Sequence, residues 1–133
     1  MEFRIDIKSK KRVEFLNITT RIKQVVKDAN IKQGICSIYV PHTTAGITIN
    51  ESADPAVPVD IISQLEQLVP LHGNYKHAEG NSDAHIKTLL TGNNVTIPLI
   101  EGQLALGTWQ AIFFCEYDGP RNRRAQIMII RGN

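Results

Sequence analysis

The stretch from Trp109 to Tyr117, Trp-Gln-Ala-Ile-Phe-Phe-Cys-Glu-Tyr, constrains this chain more than any other. It is a long apolar run that fits a strand in the middle of a sheet. Asp118-Gly119-Pro120 turns the chain, and Arg124 to Arg131 returns as a final strand. The two runs read as an antiparallel hairpin with a longer loop. Trp109 reads as a core anchor.

The rest of the sequence supplies neighbours for that strand. Glu2 to Lys8 alternates, with Phe3, Ile5 and Ile7 on one side, and predicts a half-buried strand. Arg12 to Ile18 predicts a second. Ile22, Val25, Val26 and Ala29 recur at helical spacing, so a helix runs from about Thr20 to Ala29, capped by Thr19 or Thr20 and stopped by Asn30. Gly34 to Val40 and Gly46 to Asn50 are strands. A second helix begins near Asp54 or Val57 and carries the stripe Ile61, Ile62, Leu65, Leu68, Val69 before Pro70. Leu71 to Asn81 is an irregular loop. Ser82 or Asp83 caps a short helix whose apolar face is Ile86, Leu89 and Leu90, and Val95 to Ile100 is a further strand.

About seven strands and three helices result, and they do not alternate strictly. The expected fold is therefore α+β: a compact single domain over residues 1–133, with largely antiparallel or mixed β-sheets and about three outer helices. Hydrophobic residues at 42% and charged residues at 21% allow one real core in 133 residues. No run is long enough to span a bilayer, and the N-terminus lacks the apolar core of a secretion signal. The expectation is a cytoplasmic protein with no membrane partner. Lys and Arg are scattered among acids at a net charge of +2, which argues against nucleic acid. Cys36 and Cys115 each sit inside an apolar run and read as buried thiols.

The chemistry concentrates in Pro41 to Asp60. His42 ends an apolar strand, Thr43 and Thr44 follow it, and Asn50, Glu51, Asp54 and Asp60 come after. Glu51 shares its parity with Ile47 and Ile49 and is placed to act as a base or to orient a histidine. Asp54 and Asp60 also read as turn and helix-start residues. His77 lies in the irregular loop and His85 in the first turn of the short helix. Three histidines at element ends beside carboxylates suggest a metal site or an acid–base site, and three neutral imidazoles would leave an ion one open position. Thr43, Thr44, Lys87 and Arg121 are the anion-compatible groups. For Lys87 a solvated helix face is the first reading and anion binding the second, while for Arg121 a structural and an anion-binding reading stand side by side.

Taken in order, several motifs form a pattern. They are His42-Thr43-Thr44-Ala45 with Asn50-Glu51 and Asp60, then Tyr75-Lys76-His77, and Asn81-Ser82-Asp83-Ala84-His85-Ile86-Lys87. Leu106-Gly107-Thr108-Trp109-Gln110 and Glu116-Tyr117-Asp118-Gly119-Pro120-Arg121 follow. The pattern resembles the YjbQ-like secondary thiamine-phosphate synthase family over almost the whole chain. That resemblance implies a compact α+β fold, a homotrimer, and a divalent metal ion, zinc or magnesium, at His42, His77 and His85. The activity it implies joins hydroxymethylpyrimidine diphosphate to a thiazole phosphate and releases diphosphate. In that reading Arg121 and the ion stabilise the leaving group, Glu51 or Asp60 orients ligands or water, and Thr43, Thr44, Asn50 and Lys87 bind substrate. Two other readings stand beside it: a metal-dependent hydrolase of a small phosphorylated metabolite, and a trimer that binds a small anion without turnover.

Overall fold

The computed structural model describes residues 1–133. Its elements in order are β1 (Glu2–Lys8), β2 (Glu14–Asn17), α1 (Thr19–Ala29), β3 (Gly34–Tyr39), β4 (Ala45–Glu51), α2 (Ala56–Leu68), α3 (Ser82–Thr91), β5 (Asn94–Ile100), β6 (Gln103–Leu104), β7 (Gln110–Glu116) and β8 (Asn122–Arg131). The strands form a five-stranded sheet, β1-β8-β3-β5-β6, and a three-stranded sheet, β2-β7-β4. Every pairing is antiparallel. The fold is the expected α+β class. The strand absent from the sequence reading is β6, two residues long, which follows a turn at Glu101 and Gly102.

Alternation along β7 explains why it lies in the middle. Ile112 and Phe114 face the main core, which also takes Ile22 and Val26 from α1, Ile38 from β3, Ile47 from β4 and Ile127 from β8. Ala111, Phe113 and Cys115 face the opposite way and, with Tyr117, pack on Ala84 of α3 beside Leu65 of α2. Both faces of β7 are thus removed from water, and each fully buried Ile or Phe contributes about 1.5–3 kcal/mol. Cys36 and Cys115 are buried free thiols, and burial pushes the Cys36 thiol up to about 11. Helix α1 ends as expected, with Asn30 in the left-handed conformation, its N–H donating to the carbonyls of Val26 and Lys27. Its start differs: Asn17 Oδ1, not a threonine hydroxyl, accepts the Thr19 N–H. Nor does Ser82 or Asp83 cap α3, whose N-cap is Asn81.

Three expectations from periodicity are corrected. First, β7 and β8 are not a hairpin. The turn between them carries the chain from one sheet to the other, where β8 inserts between β1 and β3. The turn is held from outside: the Ser9 N–H donates to the Arg121 carbonyl and the Gly119 N–H to the Arg12 carbonyl. Second, α3 is inside out. Its buried residues are Asp83, Ala84, Lys87 and Thr88, while Leu89 is 80% and Leu90 60% exposed. The polar face turns inward because it finds partners there. Lys87 Nζ bonds Asp83 Oδ2 at 2.9 Å and Glu66 Oε1 of α2 at 3.1 Å, and Arg12 bonds both carboxylates. Third, Trp109 is 64% exposed, because it lies just before β7 where the sheet ends. Helix α2 has no fully buried residue; Ile61, Ile62 and Leu65 are half-covered.

Candidate functional site

Four separate segments meet at one cleft of about 710 Å³. The loop after β3 brings His42, Thr43 and Thr44; the long loop before α3 brings His77; α3 brings His85; and the turn after β7 brings Arg121. The His77 and His85 rings lie edge to face with centroids 5.5 Å apart, and Glu79 Oε2 is 3.8 Å from His77 Nε2. Thr43 is exposed toward the opening, whereas Thr44 is buried.

A buried ion pair beneath the cleft sets its shape. Glu116 and Arg123 are both buried, and the Arg123 Nε and Nη2 donate to the two Glu116 oxygens at 2.9 and 2.6 Å. Glu116 also accepts the Ser9 hydroxyl at 2.6 Å and the Asp118 N–H at 3.0 Å. Burial alone would raise its pKa, but the bonds from Arg123, Ser9 and the Asp118 N–H outweigh that and hold it below the usual carboxylate range. The same Arg123 Nη2 donates to the Thr44 hydroxyl at 2.8 Å. The pair therefore ties the His42–Thr44 loop to the Asp118–Arg121 turn. Gly119 must be glycine here, since a Cβ would run into the Lys11 carbonyl and the Ser9 hydroxyl. Arg121 donates from Nε to the Asp118 carbonyl at 2.7 Å and from Nη2 to Asp118 Oδ2 at 2.9 Å, leaving its other N–H groups free for the cleft.

His42 is fixed differently. Its Nε2 accepts the Arg124 backbone N–H at 3.1 Å. Burial, then the positive charges of Arg123 and Arg124, lower its pKa, so it is neutral near neutral pH. A neutral imidazole has one nitrogen lone pair, and here that pair is engaged. His42, His77 and His85 all line the cleft, and no three His, Cys, Asp or Glu side chains already stand at metal-binding spacing.

Four expected site residues lie elsewhere. Glu51 and Asn50 close the far end of β4, opposite Gln110 and Ala111, while the cleft end of the strand is Ala45 opposite Glu116. At ~3.4 Å per residue that separates Glu51 from the cleft by about 20 Å. The Asn50 side chain folds back onto the Glu51 N–H at 2.8 Å. Asp60 is exposed on α2, and Lys87 is buried with Asp83 and Glu66, out of reach of the cleft. Asp54 takes its turn role, accepting the Ala56 N–H at 2.9 Å. Sequence reasoning missed Glu79, Asn81, Asp118 and Arg123, all of which line the cleft. Arg123 carried a legible signal: it shares parity with Ala125, Ile127 and Ile129, so its charge had to be buried and paired.

Residues 3–132 match the model of a protein family described as "UPF0047 protein YjbQ-like". A UPF0047 protein of Methanocaldococcus jannaschii is 53% identical over 130 residues, spanning 98% of this chain and 94% of its own. The UPF0047 protein YugU of Bacillus subtilis is 42% identical, spanning 95% of this chain and 96% of its own. A crystal structure of a YjbQ/UPF0047-family protein from Clostridium acetobutylicum superposes with a TM-score of 0.94 at 45% identity, covering 96% of this chain and 99% of that one.

Proposed function

The chain belongs to the YjbQ-like UPF0047 family, and on that footing we propose that its cleft binds small phosphorylated metabolites and acts as a thiamine-phosphate synthase. The observation that carries this reading is the convergence of His42, Thr43, His77, His85 and Arg121, from four segments, on one cleft. In the reaction, the ring nitrogen of thiazole phosphate attacks the methylene carbon of hydroxymethylpyrimidine diphosphate. A carbon–nitrogen bond forms, the carbon–oxygen bond breaks, and its electron pair leaves on diphosphate. Charge develops on the departing oxygen, so the useful protein groups are fixed donors aimed there. Arg121 supplies a permanent cation whose planar fork suits phosphoryl oxygens. The Thr43 hydroxyl and the ring N–H groups of His77 and His85 add further donors. The test is direct: purified protein supplied with both precursors should form thiamine phosphate over many turnovers, and product no faster than in a protein-free control would sink the reading.

The same footing leads to a second proposal, a homotrimer. Its support is apolar surface with nothing in this chain to cover it. Ile86, Leu89 and Leu90 face out from α3, and Ile35, Tyr39, Ile100, Met128 and Ile130 face out from the five-stranded sheet. Ile35 lies opposite Ile130 in neighbouring strands, so these two exposed side chains are adjacent on the sheet. The expected mass in solution is three times the 14.9 kDa of one chain. A Leu89→Asp, Leu90→Asp double variant should reduce it while leaving the circular-dichroism spectrum of a folded protein. Light scattering that reports a monomer for the unaltered protein would refute the trimer.

A further inference from the structure

We propose that His42 serves the cleft as a neutral hydrogen-bond donor, locked in the tautomer with its proton on Nδ1, and that it takes a phosphoryl oxygen of the ligand rather than a metal ion. The proposal rests on the reading of this cleft as a phosphoryl site. The lock is a backbone contact. Arg124 N–H donates to His42 Nε2 at 3.1 Å, and a nitrogen that accepts such a bond has no proton of its own. In a neutral ring the proton must then be on Nδ1. A ring whose Nε2 accepts that bond is not doubly protonated, so the contact itself marks it as neutral.

The donor of that lock cannot drift. Arg124 lies in β8 opposite Asp6 of β1, and the preceding residue, Arg123, is pinned to Glu116 and Thr44. Thr44 is two residues from His42, so one buried ion pair holds both ends of the Arg124–His42 contact. The Nε2 lone pair is spent inside the protein, and the polar group left to His42 in the cleft it lines is Nδ1–H. A donor suits a phosphoryl oxygen and repels a cation. A divalent ion would have to break the Arg124 bond or strip the Nδ1 proton. The other two histidines carry no such lock: neither His77 nor His85 has a ring nitrogen bonded to backbone, and they stand together.

Long-range proton–nitrogen correlation spectra of histidine- and arginine-labelled full-length protein test this without reliance on turnover. Near neutral pH, His42 should give the pattern of the Nδ1–H tautomer. Added diphosphate should shift its Nδ1 signal together with the side-chain nitrogens of Arg121. Added zinc should move His77 and His85 signals and leave those of His42 in place. An Nε2–H pattern, or a His42 signal that follows zinc, would overturn the assignment. Diphosphate that shifts Arg121 and not His42 would overturn it while leaving the phosphoryl reading intact. Diphosphate that shifts neither would remove the phosphoryl reading and this role of His42 with it. In parallel, His42→Asn keeps a donor near the Nδ1 position and should bind diphosphate within a few-fold of the unaltered protein. His42→Gln places its amide at the Nε2 position and should bind about tenfold more weakly, the loss of one hydrogen bond to a charged group. Equal affinities in the two variants would also count against the proposal.

Discussion

Replacing Glu116 by alanine is expected to lower the free energy of unfolding by about 3–5 kcal/mol, the loss seen when one partner of a buried ion pair goes and the other stays behind uncompensated. A whole domain of this kind has about 5–15 kcal/mol to lose. The Arg123 and Glu116 side chains are 6% and 0% exposed, so water cannot replace the missing partner. The loss extends beyond the pair, since the Ser9 hydroxyl and the Asp118 N–H also lose their acceptor. Urea unfolding followed by circular dichroism measures the change, and a loss below about 1 kcal/mol would show that the pair is no better than an exposed one. The pH dependence has a fixed sign. The folded pKa of Glu116 lies below its ordinary value of 4.5, so the unfolded state holds the proton more tightly. The stabilisation is complete above the unfolded value and is lost as pH falls through the folded one. Unaltered protein should therefore lose stability steeply below about pH 4.5, and that slope should be shallower in Glu116→Gln, which has no carboxylate to protonate.

That buried pair also marks where the sequence stopped being readable. Local order was legible: the alternation of Phe3, Ile5 and Ile7 located β1, and Ile22, Val26 and Ala29 located the buried face of α1. Those patterns report which residues face inward along one element. They do not report which element lies next to it, so β7 and β8, adjacent in sequence, were paired although they occupy different sheets. Helix α3 misled for a related reason. Ile86, Leu89 and Leu90 make an apolar stripe, but Asp83 and Lys87 satisfy each other and Glu66 on the inner side, and that arrangement depends on α2 being present. Of the cleft's lining, the sequence singled out residues on short loops beside strand or helix ends: His42, Thr43, His77, His85 and Arg121. Glu51 lies away from this cleft, which parity could not reveal: it says which face a residue is on and nothing about how far along the strand the cleft lies.

Arg121→Ala should slow thiamine-phosphate formation by about 10²–10³, the effect of deleting one strong donor to developing negative charge. The substitution separates chemistry from folding unusually well. The structural work of this position is done by its backbone: its N–H donates to the Ser9 hydroxyl at 2.8 Å and its carbonyl accepts the Ser9 N–H at 3.0 Å, and alanine keeps both. The side chain is 52% exposed and its ion pair with Asp118 joins residues three apart, so removing it should cost at most about 1 kcal/mol of stability. It also leaves the Asp118 carboxylate facing the cleft without its cation, and that carboxylate repels a diphosphate. The ground state and the departing diphosphate both meet this repulsion, so KM for the diphosphate substrate should rise along with the fall in kcat. Arg121→Lys restores a positive charge without the planar fork and should recover only part of the rate. Steady-state kinetics of the three proteins, beside their urea midpoints, decide the matter. Unaltered kcat and KM in a folded Arg121→Ala protein would place the departing diphosphate away from this turn. A rate lost only in proportion to stability would make Arg121 a residue of the fold and not of the reaction.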